Sequence, residues 1–307
     1  MEKEEFLAKY KILYKEVIEM FNNNNEYDYT DLSPDAFDVA EEIISNINSD
    51  YKDGNYCFYF QPIAKLDSKI EKAEALFRYK IYDTFINPQI VFYLLRQINL
   101  ESEVLLHQID TIAKDTKILV NKFGDNFKVQ FNVNPELFKP KFIITYFECI
   151  KKYGLKPSNL NIELLESSSF SSLDKQHVIE LRKRGIDVLL DDFGTGYAGV
   201  KEANSIPFSK LKVAREIVTG AGINPQIKNS LTNMLSHVNY DNDSLIFEGI
   251  ETQEDVTAIN SLYGNVDIQG YILSKALPLD QFIEKKSELE SNFTRDKILL
   301  DSNECVE

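Results

Sequence analysis

Short apolar runs that each close on a polar side chain set the pattern of this chain. From residue 56 onward, β-branched and aromatic runs fall at 56–60, 70–77, 129–133, 159–165, 188–190, 210–213, 245–247 and 266–268. Longer amphipathic stretches lie between them, at 100–122, 141–153, 175–184, 226–238 and 252–262. Strand alternating with helix predicts a parallel sheet with helical crossovers. Nearly every run contains or ends on a polar group: Glu74, Asn132 with Asn134, Glu163 with Glu166, Asp191 with Asp192, Lys212, Glu248 with Glu251, and Gln269. A carboxylate taken out of water without a partner costs several kcal/mol, so buried strands seldom carry one. A single instance would be a strand-end cap or a salt bridge. Seven strands ending the same way point to ends that converge. In a (β/α)8 barrel they converge on one mouth, where active sites are built; an open doubly wound sheet is the competing architecture. The expected fold is α/β, a TIM-like (β/α)8 barrel over residues 51–285. An N-terminal helical extension over 1–50 and an acidic tail over 286–307 flank it. Two helical patterns fill the extension, one through Phe6, Tyr10, Leu13, Val17 and Met20, the other through Phe37, Ala40, Ile43, Ile44 and Ile47.

Charge narrows the function. The 307 residues hold 49 Asp and Glu against 34 Lys and Arg, a net charge of −15. Attraction to duplex nucleic acid or to an anionic membrane surface comes from Lys and Arg, so neither partner is expected. A phosphate-bearing ligand would have to be met by metal ions or by a few aimed cations. Cys57, Cys149 and Cys305 are odd in number and widely spaced, which gives neither a disulfide framework nor a zinc pattern and fits a reducing compartment. The charged N-terminus 1–6 opens no apolar run long enough for a signal peptide or a spanning helix. A cytoplasmic protein is expected.

Four or five carboxylates and an Asn amide facing one another would repel unless a cation sat among them. Oxygen ligands without Cys or His point to hard ions, Mg2+ or Mn2+, rather than zinc or copper. The adjacent pair Asp191-Asp192 can serve two ions, and two ions can clamp an in-line displacement at phosphorus. Lys212 would orient a water or stabilise charge on phosphate, and Arg78 would meet a phosphate oxygen. Taken singly, each group has a plainer explanation: Glu74 as a barrel-end salt bridge, Glu251 as a carboxylate at a helix N-terminus, Lys212 as the partner of one acid. A second pattern competes. Gly194, Gly196 and Gly199 spell G-x-G-x-x-G after an apolar run, with Glu216 in the place of a ribose acid. Asp191 and Asp192 would repel a pyrophosphate there, and Pro207 follows too soon for the long helix such a site needs. A nicotinamide-binding sheet therefore stays a minor alternative.

The blocks at the strand ends resemble the EAL-domain cyclic-di-GMP phosphodiesterases across roughly residues 56–282. They read Gln61-Pro62-Ile63, Glu74-Ala75-Leu76-Phe77-Arg78, Phe131-Asn132-Val133-Asn134-Pro135, Glu163-Leu164-Leu165-Glu166, Asp191-Asp192-Phe193-Gly194-Thr195-Gly196-Tyr197, Glu248-Gly249-Ile250-Glu251-Thr252 and Gln269-Gly270-Tyr271. The resemblance implies a barrel that binds cyclic di-GMP across the strand ends and hydrolyses one phosphodiester bond by two-metal activation of water, giving pGpG. It implies Glu74, Asn132, Glu163, Asp191, Asp192 and Glu248 as metal ligands, with two Mg2+ or Mn2+ per site, and Lys212 as the group that positions or activates water. It further implies support from Glu251 and Gln269, substrate contacts from Gln61, Leu76 and Arg78, a loop held by Glu166, and a homodimer.

The chain departs from the family pattern at Lys212-Val213-Ala214, where a carboxylate commonly stands in place of Ala214, and at Leu165, where a Thr is usual. Residues 95–99 also differ from the family's block after the second strand. No Gly-Gly pair occurs, so a cyclase partner of the G-G-D-E-F type is not expected. An impaired barrel that acts as a cyclic-di-GMP receptor or protein-interaction module is the alternative function.

Overall fold

The computed structural model describes residues 1–23, 28–53, 56–66, 70–165, 170–195 and 199–303. Helices α1 (Lys3–Asn22) and α2 (Pro34–Asp53) lead into strands β1 (Cys57–Lys65), β2 (Ile70–Ile81) and β3 (Thr84–Ile86). Helices α3 (Pro88–Gln97) and α4 (Glu101–Phe123) follow, then β4 (Lys128–Val133), α5 (Pro140–Tyr153), β5 (Leu160–Leu165), α6 (Ser172–Lys183) and β6 (Val188–Phe193). The chain continues through α7 (Gly199–Ser205), β7 (Lys210–Val213), α8 (Arg215–Val218), α9 (Pro225–Leu235), β8 (Leu245–Phe247), α10 (Gln253–Tyr263), β9 (Asp267–Gln269), β10 (Leu277–Pro278) and α11 (Leu279–Asn303). These elements divide into two compact units, Met1–Phe58 with Phe77–Thr111, and Tyr59–Leu76 with Ile112–Glu307.

In the first unit α1 and α2 pack along the two expected stripes. Phe6, Leu13 and Val17 of one and Ala36, Val39, Ala40, Ile43 and Ile47 of the other are buried, at the spacing that keeps one helix face apolar. The unit extends past residue 50 and takes in residues 77–111 as well. There β2 turns back into β3 through Tyr82 and Asp83, with Ile81 paired to Thr84. Both turn residues have positive φ, +49° and +63°, the geometry a two-residue hairpin needs to match strand twist. Phe6 meets the Tyr82 ring edge-on at 5.4 Å.

The second unit is a closed barrel of eight strands, in the order β1-β2-β4-β5-β6-β7-β8-β9 and back to β1. Strands β2 and β4 to β9 run parallel. One strand departs from the expected all-parallel arrangement: β1 pairs antiparallel with β9, Ile63 opposite Gln269. The cause is covalent. Only four residues separate Lys65 from Ile70, whereas a parallel pair needs a crossover of a dozen or more.

Register stacks the barrel interior in layers. Ile63, Leu189 and Ile246 form an apolar plug at mid-height. Below it Asp267, 2 % exposed, accepts from Lys72 at 2.5 Å and from Lys210 at 3.2 Å. Each plug residue is followed, two positions along its strand, by a polar one at the mouth: Leu189 by Asp191 and Ile246 by Glu248, while Ile63 is preceded by Gln61. Period-2 alternation thus turns apolar interior positions into polar ones one layer up. Helix α11 runs on from the barrel to Asn303, into the stretch read from sequence as a tail.

Candidate active site

Six strands, β1, β2, β4, β5, β6 and β9, and the residue just after β8 deliver carboxylates or amides to the mouth, and the ladder fixes which ones meet. Asn132 of β4 sits opposite Glu163 of β5, and Glu74 of β2 opposite Gln130, one step below Asn132 on that face. Lys212 of β7 lies opposite Ile246, so Glu248 stands just above it.

Lys212 is the hub. Its side chain is 1 % exposed, and its Nζ lies 2.7 Å from Glu248, 2.8 Å from Asp191, 2.9 Å from Glu163 and 3.4 Å from Glu74. Burial alone would lower the Lys212 pKa, yet the four acids, Asp191 first, raise it well above its ordinary value. The acids share the strain unequally. Burial pushes Glu74 up, but Lys212 and hydrogen bonds from Gln269 and Asn132 outweigh it and leave its carboxyl below the usual range. Burial and the Glu74 charge raise Glu163 well above the carboxylate range. Burial lifts Asp191 despite Lys212, and burial together with the Asp191 and Glu74 charges brings Glu248 up to about 8. At the exposed rim, partial loss of water and the neighbouring Asp191 push Asp192 up to about 6. One ammonium does not neutralise five carboxyls.

A backbone irregularity sets the rim. The pairing of β6 with β7 shifts register between Leu190 and Phe193. On that bulge Asp192 takes φ +55°, a left-handed conformation that Asp and Asn tolerate better than most residues. Its carboxylate is thereby turned towards its neighbours: one oxygen from each of Asp191, Asp192 and Glu248 lies within 4.8 Å of the others. Gly194 follows at φ +103°, where a Cβ would come within 3.0 Å of Ile217 and Met234. The glycine is thus read in the structure as a close approach at the site.

The donor set fits a hard divalent cation. Gln269 Nε2 donates to Glu74 at 2.6 Å and to Gln61 at 3.1 Å, and Asn132 Nδ2 donates to Glu74 at 2.8 Å. These bonds leave oxygens over. Asn132 Oδ1, Glu163 Oε1 and Gln269 Oε1 are buried and accept no hydrogen bond among the described residues. Buried acceptors of this kind are rare without a partner. All-oxygen ligands, several charged, are what Mg2+ and Mn2+ take.

Over the ring opens a cleft of about 280 Å³. Gln61, Glu74, Leu76, Asp191, Asp192, Lys212, Glu248, Glu251 and Gln269 line it, which gathers most of the residues singled out from sequence. Asn132 and Glu163 lie beneath, bonded to the residues that line it. Arg78 is not among the lining residues; it belongs to the first unit, and its Nη1 donates to the Phe77 carbonyl at 2.8 Å. Glu166, Gly196 and Tyr197 fall outside the described residues. Helix α7 spans only seven residues, and Gly194, two residues after the cleft-lining Asp192, sits at a barrel mouth rather than at a dinucleotide-binding turn. Glu216 is an exposed neighbour whose charge adds to the upward push on Asp192.

Sequence reasoning passed over Arg215 and quoted Tyr271 only within a motif, without a role; both line the cleft. Arg215 Nη2 pairs with Glu251 at 2.9 Å. The available signal was position: Arg215 follows directly on the strand that carries Lys212.

A closed, mainly parallel barrel with an oxygen-lined cluster and a cleft at the C-terminal ends of its strands defines a TIM-like α/β barrel. The family model described as EAL domain matches residues 44–276. The chain belongs to the EAL domain family. Among curated relatives, it is 24% identical over 257 residues to cyclic di-GMP phosphodiesterase RocR of Pseudomonas aeruginosa, covering 82% of this chain and 65% of that protein. It is 26% identical over 263 residues to probable cyclic di-GMP phosphodiesterase PdeA of Escherichia coli, covering 80% of this chain and 35% of that protein. The chain spans less than two thirds of the length of both. Among solved structures, the PaMucR phosphodiesterase in a c-di-GMP complex aligns with a TM-score of 0.70 at 18% identity, over 78% of this chain and 99% of that one. That likeness establishes the shared fold. No helix among the described residues is long and apolar enough to cross a membrane.

Proposed function

We propose that the chain is a metal-dependent phosphodiesterase that opens cyclic di-GMP to linear pGpG. The observation that carries this reading is the excess of buried acceptor oxygen around one ammonium at the mouth of an EAL-family barrel, together with relatives named for cyclic-di-GMP hydrolysis. Glu74, Asn132, Glu163, Asp191, Asp192 and Glu248 would hold two Mg2+ or Mn2+. The chemistry those ions supply is charge neutralisation at the phosphate and a lowered pKa for a bound water. Lys212, fixed by its acids, positions the attacking water and adds positive charge next to the scissile phosphate. Gln269 orients Glu74 and is itself braced by Gln61, while Gln61 and Leu76 present the cleft wall to substrate. Glu251 supports the rim and Glu166 the loop beyond β5. We place the protein in the cytoplasm, in keeping with its few, widely spaced cysteines, and as a homodimer, in keeping with the family resemblance.

A receptor that binds cyclic di-GMP without turnover is the second reading, favoured by one observation. Ala214 is fully buried next to the hub strand and brings a methyl group where a carboxylate would extend the ring. Incubation of the purified protein with cyclic di-GMP and Mg2+ or Mn2+, with an EDTA control, separates the two. Metal-dependent pGpG supports the enzyme. Binding of intact cyclic dinucleotide without product supports the receptor. Neither product nor binding refutes both.

A further inference from the structure

The acidic ring solves the problem of holding cations and creates another, because a cyclic dinucleotide brings two phosphates to a strongly negative cleft. Of the residues that line the cleft, two are cationic. Lys212 is enclosed by four carboxylates and is 1 % exposed. Arg215 is open, with half its side chain in solvent.

Arg215 is also held in place. Its stem lies against Gly249, where φ is +64° and a Cβ would come within 2.2 Å of the Arg215 Cγ. Its guanidinium pairs with Glu251, the residue just ahead of the α10 cap. The two elements that carry this pair are stapled together by Asp255, itself 2 % exposed. Asp255 accepts from the backbone of Gly220 and Gly222 beyond α8, at 3.2 and 3.1 Å, and from Thr252 Oγ1 at 2.9 Å. Gly222 completes the joint, since a Cβ there would lie 2.3 Å from the Glu254 backbone. An exposed ion pair of this type is weakly held, so the guanidinium can change partners at little cost, while its stem and both elements stay fixed. A guanidinium presents parallel N–H donors that match phosphate.

We propose that Arg215 is a substrate-binding residue that exchanges Glu251 for a non-reacting phosphate of a cyclic dinucleotide. The inference rests on the phosphodiesterase reading above. Among the described residues that line the cleft, it assigns the one accessible cation to the phosphate that the metal ring does not hold.

The test compares wild type with Arg215→Met, which keeps the stem, and with Arg215→Lys, which keeps the charge and loses the fork. Steady-state hydrolysis is measured on cyclic di-GMP and on bis(p-nitrophenyl) phosphate, a diester with one phosphate, with calorimetric binding of cyclic di-GMP alongside and a thermal melt to show the variants are folded. Arg215→Met is expected to raise KM and Kd for cyclic di-GMP about tenfold or more, the scale of one charge-assisted contact. Its kcat should stay within about threefold, and its rate on the one-phosphate diester should be unchanged; Arg215→Lys should fall between. Equal KM and Kd for wild type and Arg215→Met on cyclic di-GMP overturn the role of Arg215. An equal loss on both substrates overturns it too, by placing Arg215 at the reacting phosphate. If wild type neither binds nor hydrolyses cyclic di-GMP, the phosphodiesterase reading fails instead, which is a separate result.

Discussion

Replacing Lys212 by Met removes the charge around which the barrel mouth is built while keeping most of the volume. Three acids lie 2.7–2.9 Å from its Nζ, and each contact is worth about 6 kcal/mol gross at an effective dielectric of about 20. Desolvation of the ions offsets most of that, and taking one partner from a buried cluster typically costs about 3–5 kcal/mol net. The loss depends on pH. An acid whose folded pKa lies above its unfolded value binds more protons when folded, so stability falls as pH rises through the interval between the two. With Asp192 at about 6 and Glu248 at about 8, that interval runs from about 4 to 8. Without the ammonium the acids hold protons more tightly still, and the variant suffers least where they are protonated. In EDTA, Lys212→Met should therefore melt about 6–15 °C below wild type at pH 8 and only a few degrees below it at pH 5. Calorimetry or circular dichroism across this range reads the difference. A deficit of the same size at both pH values, or none at pH 8, would refute the account of Lys212 as the counter-charge of the ring.

Three further outcomes are expected. Glu74→Ala removes the acid that receives Asn132 and Gln269 and should lower metal-dependent turnover about 10²–10³-fold; unchanged kcat in a folded variant would sink the ring as the metal site. Ala214→Asp adds a carboxylate beside the hub, and should tighten Mn2+ binding about tenfold and raise activity; titration and rate both unchanged would show that the methyl costs this site nothing. Asp115 is a half-buried acid on α4, pushed up to about 6 chiefly by burial. Its ionised form costs folding about 1–3 kcal/mol above that pH, so Asp115→Asn should melt higher at pH 8 and match wild type near pH 4. No gain at pH 8 would show that Asp115 is solvated.

Much of the barrel was legible because strand ends and chemistry coincide. The runs at 210–213 and 245–247 match β7 and β8 residue for residue: β8 is a fully apolar stretch stopped by Glu248, and β7 alternates Lys210 and Lys212 with Leu211 and Val213 at the period of a strand. β1 was read too short because Gln61 and Pro62 interrupt its apolar pattern; in the barrel Gln61 points into the cleft. That truncation also hid the reversed strand, since a run ending at residue 60 leaves room for a longer connection to β2. The β2–β3 hairpin escaped notice because Tyr82-Asp83 lacks the Asn-Gly or Asp-Gly signal of such turns. The ring of acids could be named from residue types, but not its hub. That four acids converge on Lys212 follows from register, which sequence spacing does not carry.

The seam between β1 and β9 has a consequence for how this chain acquires its site. Gln61 and Gln269 meet across it, 208 positions apart, and Gln269 in turn orients Glu74. Contacts at such separation form late, since the intervening loop must be closed first. During synthesis the first of these residues leaves the ribosome long before the last, and the acids of β2, β5 and β6 must wait in an open sheet. Closing the seam is therefore the step that completes the bridge from Gln61 through Gln269 to Glu74. A nascent chain that stops short of β9 has its acids and its hub, but not the bridge that aims the first acid at the others.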